Sequence, residues 1–494
     1  ELIKYFCVPC KPTKSNGNRT RNRPCHDINK WETFKKYCMR DVDVERQIAD
    51  KLKMYPISDE EHRLYVLDQI INDRGVLVDS ELAEQAVKLN SIQTAVAVEQ
   101  AYMITGLENP NSVTQLKQWL KENGVEIESL SKKAVKSLAD ETDGDVSEML
   151  KLRLLMAKTS VKKYEAVIRS VCRDNRVHGM MRFCGANRTG RWSGNILQPQ
   201  NLPQNHLPDL TLARDIVKDG DFEMLDMMFG NVPNVLSELI RTVLIPKPNH
   251  RFIVADFSAI EARVLAWIAG EQWRIDTFKN GGDIYCASAS KMFKVPVEKH
   301  GVNGELRQKG KISELACGYG GSVGALKNMG AVEMGVQENE LQGLINDWRN
   351  ANPRIVRFWY EVGNAAMKAT KEKTTVPLGK LVFAYERGIL FIRLPSGRRL
   401  SYIKPRIGTN RFGGDSITYM GINSAKKWDR LETFGGKLTE NIVQGTARDL
   451  LANALINAAN AGYDTVFHVH DEIICEVPNG YGSVDELCRL MCIK

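Results

Sequence analysis

Apolar residues recur at helical spacing through most of the chain and at strand-like spacing in a few short stretches, mainly of its second half. Residues 31–53 place Phe34, Tyr37, Cys38, Asp41 and Val44 near one face, which predicts a helix, and Tyr55-Pro56 breaks it. Residues 65–73 form a second amphipathic stretch, and Gly75-Val-Leu-Val-Asp79 predicts a short strand. Long helices are expected over 80–103 and 146–171, and Ser112 after Pro110 caps the start of another. Residues 182–203 are polar, rich in Gly and Asn and weakly periodic, the kind of long irregular segment that often carries function. In the second half, residues 251–255 predict a strand running into Asp256, followed by a helix to Gly270. A helical region begins at 281–293, and a helix over 306–317 ends in a run of glycines. Residues 381–403 predict a β-hairpin turning at Pro395-Ser-Gly397, residues 441–460 a helix, and residues 465–477 two strands with a polar tip. This mixture gives an α/β or α+β class.

Composition narrows the picture modestly. A chain of 494 residues is too long for one small core and should divide into several packed units. It has no run of about 20 apolar residues, so no membrane span is expected. The net charge of +8 suits a polyanionic partner. The eleven cysteines follow no regular framework and read as reduced thiols in a cytosol-like compartment. Cys7 and Cys10 form a CxxC followed by Cys25-His26, but no second CxxC completes a zinc-ligand spacing, so a loop fits better than zinc.

The chemistry lies in carboxylates at strand ends. In Val466-Phe-His-Val-His470-Asp471-Glu472-Ile-Ile-Cys-Glu-Val477, apolar strands flank adjacent acids at a hairpin tip. One such acid alone is an ordinary turn residue. Phe252-Ile-Val-Ala255-Asp256 is a second apolar strand ending in an acid. Two strand-end carboxylates that converge suit Mg²⁺, which prefers oxygen ligands and substrate phosphates. Two such ions can clamp the attacking and leaving oxygens of an in-line phosphoryl transfer. Arg307 and Lys311 share a helix face that Leu315 and Tyr319 continue, which suits a triphosphate at one end and a base at the other. Taken alone, that pair would be a solvated basic face. Ser258-x-x-Glu261 has the spacing of a capping box, and on spacing alone Glu261 is a cap, a role that does not exclude another. Asn187-Arg188-Thr-Gly-Arg191 and Gln198-Pro-Gln200-Asn201 combine cations with amides that suit phosphates and minor-groove acceptors. Lys158, Lys162 and Lys163 are either a solvated face or duplex contacts.

Together these segments resemble the family A DNA polymerases, the bacterial DNA polymerase one type, and within it bacteriophage or prophage members. Asp256-Phe-Ser-Ala-Ile-Glu261-Ala-Arg resembles motif A, Arg307-x-x-x-Lys311-x-x-x-Leu315-x-x-x-Tyr319-Gly motif B, and His470-Asp471-Glu472 motif C. Thr189-Gly-Arg191 through Gln200-Asn201-Leu-Pro203 resembles the primer–template segment, and Gln444-Gly-Thr-Ala the helix before motif C. The five occur in family order from about residue 56 onward. The resemblance implies a right hand: an entry to the palm at 56–85, a thumb at 86–175, a palm at 176–272 with motif A, fingers at 273–440 with motif B, and a truncated palm segment at 441–494 with motif C. It implies that Asp256 and Asp471, with the Phe257 carbonyl, hold two Mg²⁺, for which Mn²⁺ can substitute. It implies that Arg307 and Lys311 bind the deoxynucleoside triphosphate, that Lys311 protonates the leaving pyrophosphate, that Tyr319 sits against the nascent pair and that Glu261 crowds a 2′-hydroxyl. Arg191, Gln444 and His470 would read the primer minor groove, and Gln198, Gln200, Asn201, Lys162 and Lys163 would contact the primer–template. Leu315 stands where Phe or Tyr is common, Ala259 where Gln is common, and Tyr285 where many bacterial relatives have a phosphate-contacting His.

Residues 1–55 resemble the tail of the family's 3′–5′ exonuclease, with Tyr37-x-x-x-Asp41 as its last acidic motif. With Glu1 in place of a start methionine and few residues after motif C, the resemblance implies an interior fragment. The implied location is the cytoplasm, that of a bacterial host for a phage-encoded member. A single-subunit RNA polymerase is an alternative, but Glu261 and Gln200-Asn201 favour DNA synthesis. A nuclease has only Tyr37 and Asp41 in its support. A catalytically impaired DNA-binding fragment is the remaining alternative.

Overall fold

The computed structural model describes residues 1–157, 161–410 and 413–493. Lys158 lies outside the described residues. The chain forms two compact units, Glu1–Val66 and Leu67–Lys494.

In the first unit the expected helix spans Ile28–Leu52, capped by Asp27, whose carboxylate accepts from the Lys30 N–H at 2.9 Å. Phe6, from the short helix Leu2–Cys7, packs between Trp31 and Phe34. The Cys10 thiol donates to the Arg19 carbonyl, and His26 Nδ1 accepts from the Arg23 N–H. Both bonds are made within their own loop.

In the second unit, Asp79 caps a long helix, Ser80–Thr105, which Gly106 ends in the left-handed conformation. Ser112 caps Val113–Glu122 as predicted. The single helix expected over 146–171 is instead two, Gly144–Met156 and Lys162–Ser170. Neither Gly nor Pro interrupts residues 146–171, so apolar periodicity alone could not reveal the division.

The predicted hairpin over 381–403 is part of a larger six-stranded antiparallel sheet, Thr375–Leu378 through Trp428–Thr433. An extra turn sits at Arg387-Gly388, both with positive φ. That turn usually announces itself as Asn-Gly or Asp-Gly, and Arg in the first position hid it. The inner face of the sheet, with Phe383, Ile392 and Tyr402, packs on helix Pro353–Glu372 and on Leu438 and Ile442 of helix Gly435–Asn460. Val443 and Ala447 of the latter helix join a second core with helices Ile260–Ala269 and Leu306–Cys317. One buried helix therefore connects the sheet to the elements that carry motifs A and B.

A separate three-stranded antiparallel sheet holds the strand-end acids, in the order Thr465–Val469, Glu472–Pro478, His250–Asp256. Its buried Glu476 accepts from Arg176 at 3.0 Å and from the Lys247 N–H at 2.9 Å. These bonds tie it to a smaller sheet formed by Arg176–Val177, Val76–Val78 and Leu244–Ile245. Among the described residues no helix is long and apolar enough to cross a membrane.

Candidate active site

Strand pairing brings the two acids together. Glu472 lies opposite Asp256 in register, and the Phe257 N–H donates to the Asp471 carbonyl at 3.2 Å. Asp471 sits at the hairpin tip because His470, with φ of 52°, turns the chain there. Burial pushes the Asp471 carboxyl up to about 6, the Asp256 charge adds to this, and Arg191 opposes it. Asp256 is solvent-accessible at its strand end, yet partial burial still lifts its carboxyl above the usual range. Glu472 is raised by burial and then by Asp256. Proton affinities raised by burial, and for Asp471 and Glu472 also by a neighbouring carboxylate, mark a place that a cation would stabilise. Among the described residues no group of three His, Cys, Asp or Glu side chains forms a ready cage. Neighbouring carboxylates without a cage instead suit a hard ion that keeps much of its own water.

Glu261 is not a cap. Helix Ile260–Ala269 begins at Ala259, whose φ of 52° turns the chain out of capping geometry, and no side chain bonds its first N–H groups. The Glu261 carboxylate accepts from Arg191 at 2.8 Å and from the Tyr319 hydroxyl at 2.7 Å. Burial, followed by the Glu261 charge, holds that phenol well above its ordinary range, so it stays protonated and donates. Tyr319 lies two residues beyond the end of helix Leu306–Cys317 rather than on it. On the helix, Arg307 binds Asp283 through Nε at 2.9 Å and through its terminal nitrogen at 2.8 Å. Its guanidinium lies 5.2 Å from the centre of the Tyr285 ring. Leu315 is 51% exposed on the same helix. Glu261, Tyr319 and Arg191 thus meet in one hydrogen-bonded cluster, and the Arg191 charge also acts on Asp471.

The family model for DNA polymerase family A matches residues 80–491. The chain belongs to that family. It is 52% identical over 493 residues to the DNA polymerase of Bacillus phage SP02, covering 99% of this chain and 76% of that protein. It is 29% identical over 247 residues to DNA polymerase I of Rhizobium leguminosarum, covering 48% of this chain and 20% of that one. It is 27% identical over 265 residues to the thermostable DNA polymerase I of Thermus aquaticus, covering 52% and 27%. The chain thus spans about a quarter of the length of these bacterial relatives. The fold resembles the POL domain of Pol1 from M. smegmatis, solved in complex with DNA primer-template and dNTP. The TM-score is 0.58 at 20% identity, covering 86% of this chain and 64% of that one.

In this family A polymerase the loop that carries Arg191 is braced by an arginine distant in sequence. Arg398 donates to the Thr189 carbonyl at 2.8 Å and the Gly445 carbonyl at 2.9 Å, and its Nε pairs with Asp449 at 2.6 Å. It joins the Arg191 loop to the helix that carries Gln444. Neither Arg398 nor Asp449 was singled out from the sequence, because their partners lie 47 to 209 residues away for Arg398 alone. Asp283 was missed as the Arg307 partner for the same reason. Gln444 donates to Glu440 at 3.4 Å, and His470 is exposed at the hairpin tip, its imidazole nonetheless lowered by partial desolvation and by Arg191.

The polymerase separates the two lysines grouped as duplex contacts. Lys162 is exposed, but Lys163 donates to the Leu197 carbonyl at 2.8 Å and burial lowers its ammonium. Lys163 is therefore a brace for the loop bearing Gln198, Gln200 and Asn201. Within that loop Asn201 donates to Gln198 at 3.1 Å. Gln200 packs against Gly194, where a Cβ would come within 2.1 Å of its Oε1. In the first unit, Tyr37 and Asp41 lie one turn apart on an exposed helix, hydroxyl to carboxylate.

Proposed function

We propose that this family A polymerase extends a primer 3′ end on a DNA template, in DNA replication or repair, joining deoxynucleotides by in-line phosphoryl transfer at two Mg²⁺ held by Asp256, Asp471 and the Phe257 carbonyl. The carrying observation is the register that sets Asp256 beside the hairpin tip, with the Asp471 carboxyl lifted to about 6 by burial and by Asp256. The ions, when bound, supply charge neutralisation for the attacking and leaving oxygens. The chain's own groups do the rest. Arg307, aimed by Asp283 and Tyr285, and Lys311 hold the triphosphate, and Lys311 donates a proton to the departing pyrophosphate. Glu261, fixed by Arg191 and Tyr319, leaves no room for a 2′-hydroxyl, which favours DNA over RNA synthesis. Tyr319 backs the nascent pair. Arg191, Gln444 and His470 read minor-groove acceptors at the primer end, while Gln198, Gln200 and Asn201 follow the template and Lys162 meets duplex phosphate.

In this reading residues 86–175 act as thumb, 176–272 and 441–494 as palm, and 273–440 as fingers, in the cytoplasm of a bacterial host. The test is primer extension with Mg²⁺ by wild-type, Asp256→Ala and Asp471→Ala proteins. Loss of a transition-state electrostatic stabiliser commonly costs about 100- to 1,000-fold, so both variants should lose extension and keep primer–template affinity. Extension by either variant at the wild-type rate would reject the assignment.

A further inference from the structure

The face of helix Leu306–Cys317 that binds nucleotide in the proposed function is only as well aimed as the helix itself. One flank of this helix is tied to its neighbours in three places. Arg307 binds Asp283, the residue before helix Ile284–Phe293. Gly310 lies against the same helix so closely that a Cβ would come within 2.3 Å of the Tyr285 carbonyl. At the far end, Glu314 meets Arg274 of helix Gln272–Lys279 in a two-pronged ion pair. Both side chains are buried, Arg274 at 1% exposure and Glu314 at 5%. The pair is locked further: Trp348 Nε1 donates to Glu314 at 2.9 Å, Arg274 donates to Asn352 Oδ1 at 3.0 Å, and Asn352 donates to the Trp348 carbonyl at 2.8 Å.

A buried ion pair contributes little net stability, because desolvating both charges offsets their attraction. What it does supply is direction, since a guanidinium fork meets a carboxylate in one plane only. Glu314 immediately precedes Leu315 and lies three residues after Lys311. At 100° per residue, its azimuth fixes theirs. An apolar residue at 314 could fill the same volume and would leave the helix freer to rotate.

We propose that the Arg274–Glu314 pair is a positioning device for nucleotide selection, holding the rotation of the motif B helix so that Lys311 and Leu315 face the incoming triphosphate and sugar. This rests on the proposed function of that face. The experiment compares wild type, Glu314→Gln and the double variant Arg274→Met/Glu314→Leu. The readouts are melting temperature, primer–template affinity, single-nucleotide kcat and KM, and the ratio of deoxy- to dideoxynucleotide incorporation.

Removing the charges together should restore stability close to wild type, because no unpaired buried charge remains. Nucleotide KM should still rise roughly 10- to 100-fold, as expected when a reacting group is displaced by about an ångström. The sugar-discrimination ratio should change with it, and primer–template affinity should not. A double variant that recovers melting temperature, KM and discrimination together would overturn the proposal and leave the pair a packing feature. Should the double variant not fold, Glu314→Gln decides, since it keeps the shape and removes the charge. A folded Glu314→Gln protein with wild-type nucleotide KM overturns the proposal. A wild-type protein that incorporates no nucleotide would instead reject the function on which the proposal rests, so the two failures are distinguishable.

Discussion

At the scale of single residues, chemistry was legible where a residue type conflicts with its local setting. Acids at the ends of apolar strands needed a cation or each other, and Asp256 does lie opposite Glu472 in paired strands, beside Asp471 at the hairpin tip. Glu261 was misread as a cap because the Ser258 spacing carries no information about Ala259, whose left-handed backbone removes the cap. His468 was not singled out, although it is the most conflicted side chain near the site. It is fully buried and stacks edge-on to Trp192 at 4.8 Å, and neither ring nitrogen has a hydrogen-bond partner among the described residues. Burial, and then the nearby His470, push its imidazole down to about 3 from an ordinary 6.5. Because the folded value lies below the unfolded one, the unfolded chain takes up this proton first as pH falls. The stability associated with neutral His468 is therefore complete above about pH 6.5 and is lost as pH falls toward about 3, by at most about 1.4 kcal/mol per pH unit. Asp471 and Glu472, whose carboxyls are raised, act in the opposite direction on the acid side. We expect His468→Gln to flatten the acid limb of stability, measured as denaturant midpoint between pH 7 and pH 4. A limb as steep as wild type would show that other groups carry it.

At the scale of elements, helices and strands with clean periodicity were readable close to their ends, and helix Leu306–Cys317 matches its expected bounds. The six-stranded sheet was only partly readable, since its extra turn uses Arg387 where Asn or Asp would have signalled it. The face of helix Leu306–Cys317 allows a direct test. Leu315 is half exposed and has no polar atom, so nothing there can replace a missing 3′-hydroxyl in the bound nucleotide. The polymerase should discriminate against dideoxynucleotides, and Leu315→Tyr should relax that preference. An unmade buried hydrogen bond costs about 1–3 kcal/mol, so the gain should be roughly 10- to 100-fold. The measurement is the ratio of deoxy to dideoxy incorporation efficiencies, and an unchanged ratio in an active variant would mean that Leu315 does not meet the sugar. Helix Lys162–Ser170 offers a second test, because its two lysines have different surroundings. Lys162→Ala should lower the salt slope of duplex binding by about one unit, as one phosphate contact does. Lys163→Ala should leave the slope unchanged and instead loosen residues 197–201, seen as faster proteolysis or amide exchange there. Identical salt slopes for the two variants would put both lysines in one role.

At the scale of the whole molecule, the order of motifs was enough to give the family, whereas the bracing that makes them one site was not, because Arg398, Asp283 and Arg274 act over long sequence separations. The resemblance set residues 1–55 apart from the rest, and the first unit extends somewhat further, to Val66. The two units differ in how they are stabilised. Through residues 1–58 only Phe6 is buried, and Ile28, Met39, Val42, Ile48 and Leu52 along the long helix stay exposed. Burial of apolar surface contributes about 25 cal/mol per Å², so a segment that buries one large side chain has little with which to oppose chain entropy. The second unit has its own extensive cores around helix Gly435–Asn460. The family model likewise begins at residue 80, within helix Ser80–Thr105. Tyr37 and Asp41 share an exposed face of the first unit, and metal-dependent hydrolysis needs several carboxylates around its ions. We therefore expect limited proteolysis to cut first within residues 1–57. A chain beginning at Ser58 should extend a primer as fast as the full chain, and neither protein should shorten a labelled primer in the absence of nucleotides. Slower extension by the shortened chain would assign the first unit a part in DNA synthesis. Primer shortening by the full chain that persists in Asp256→Ala and disappears in Asp41→Ala would make the Tyr37–Asp41 face part of a working nuclease.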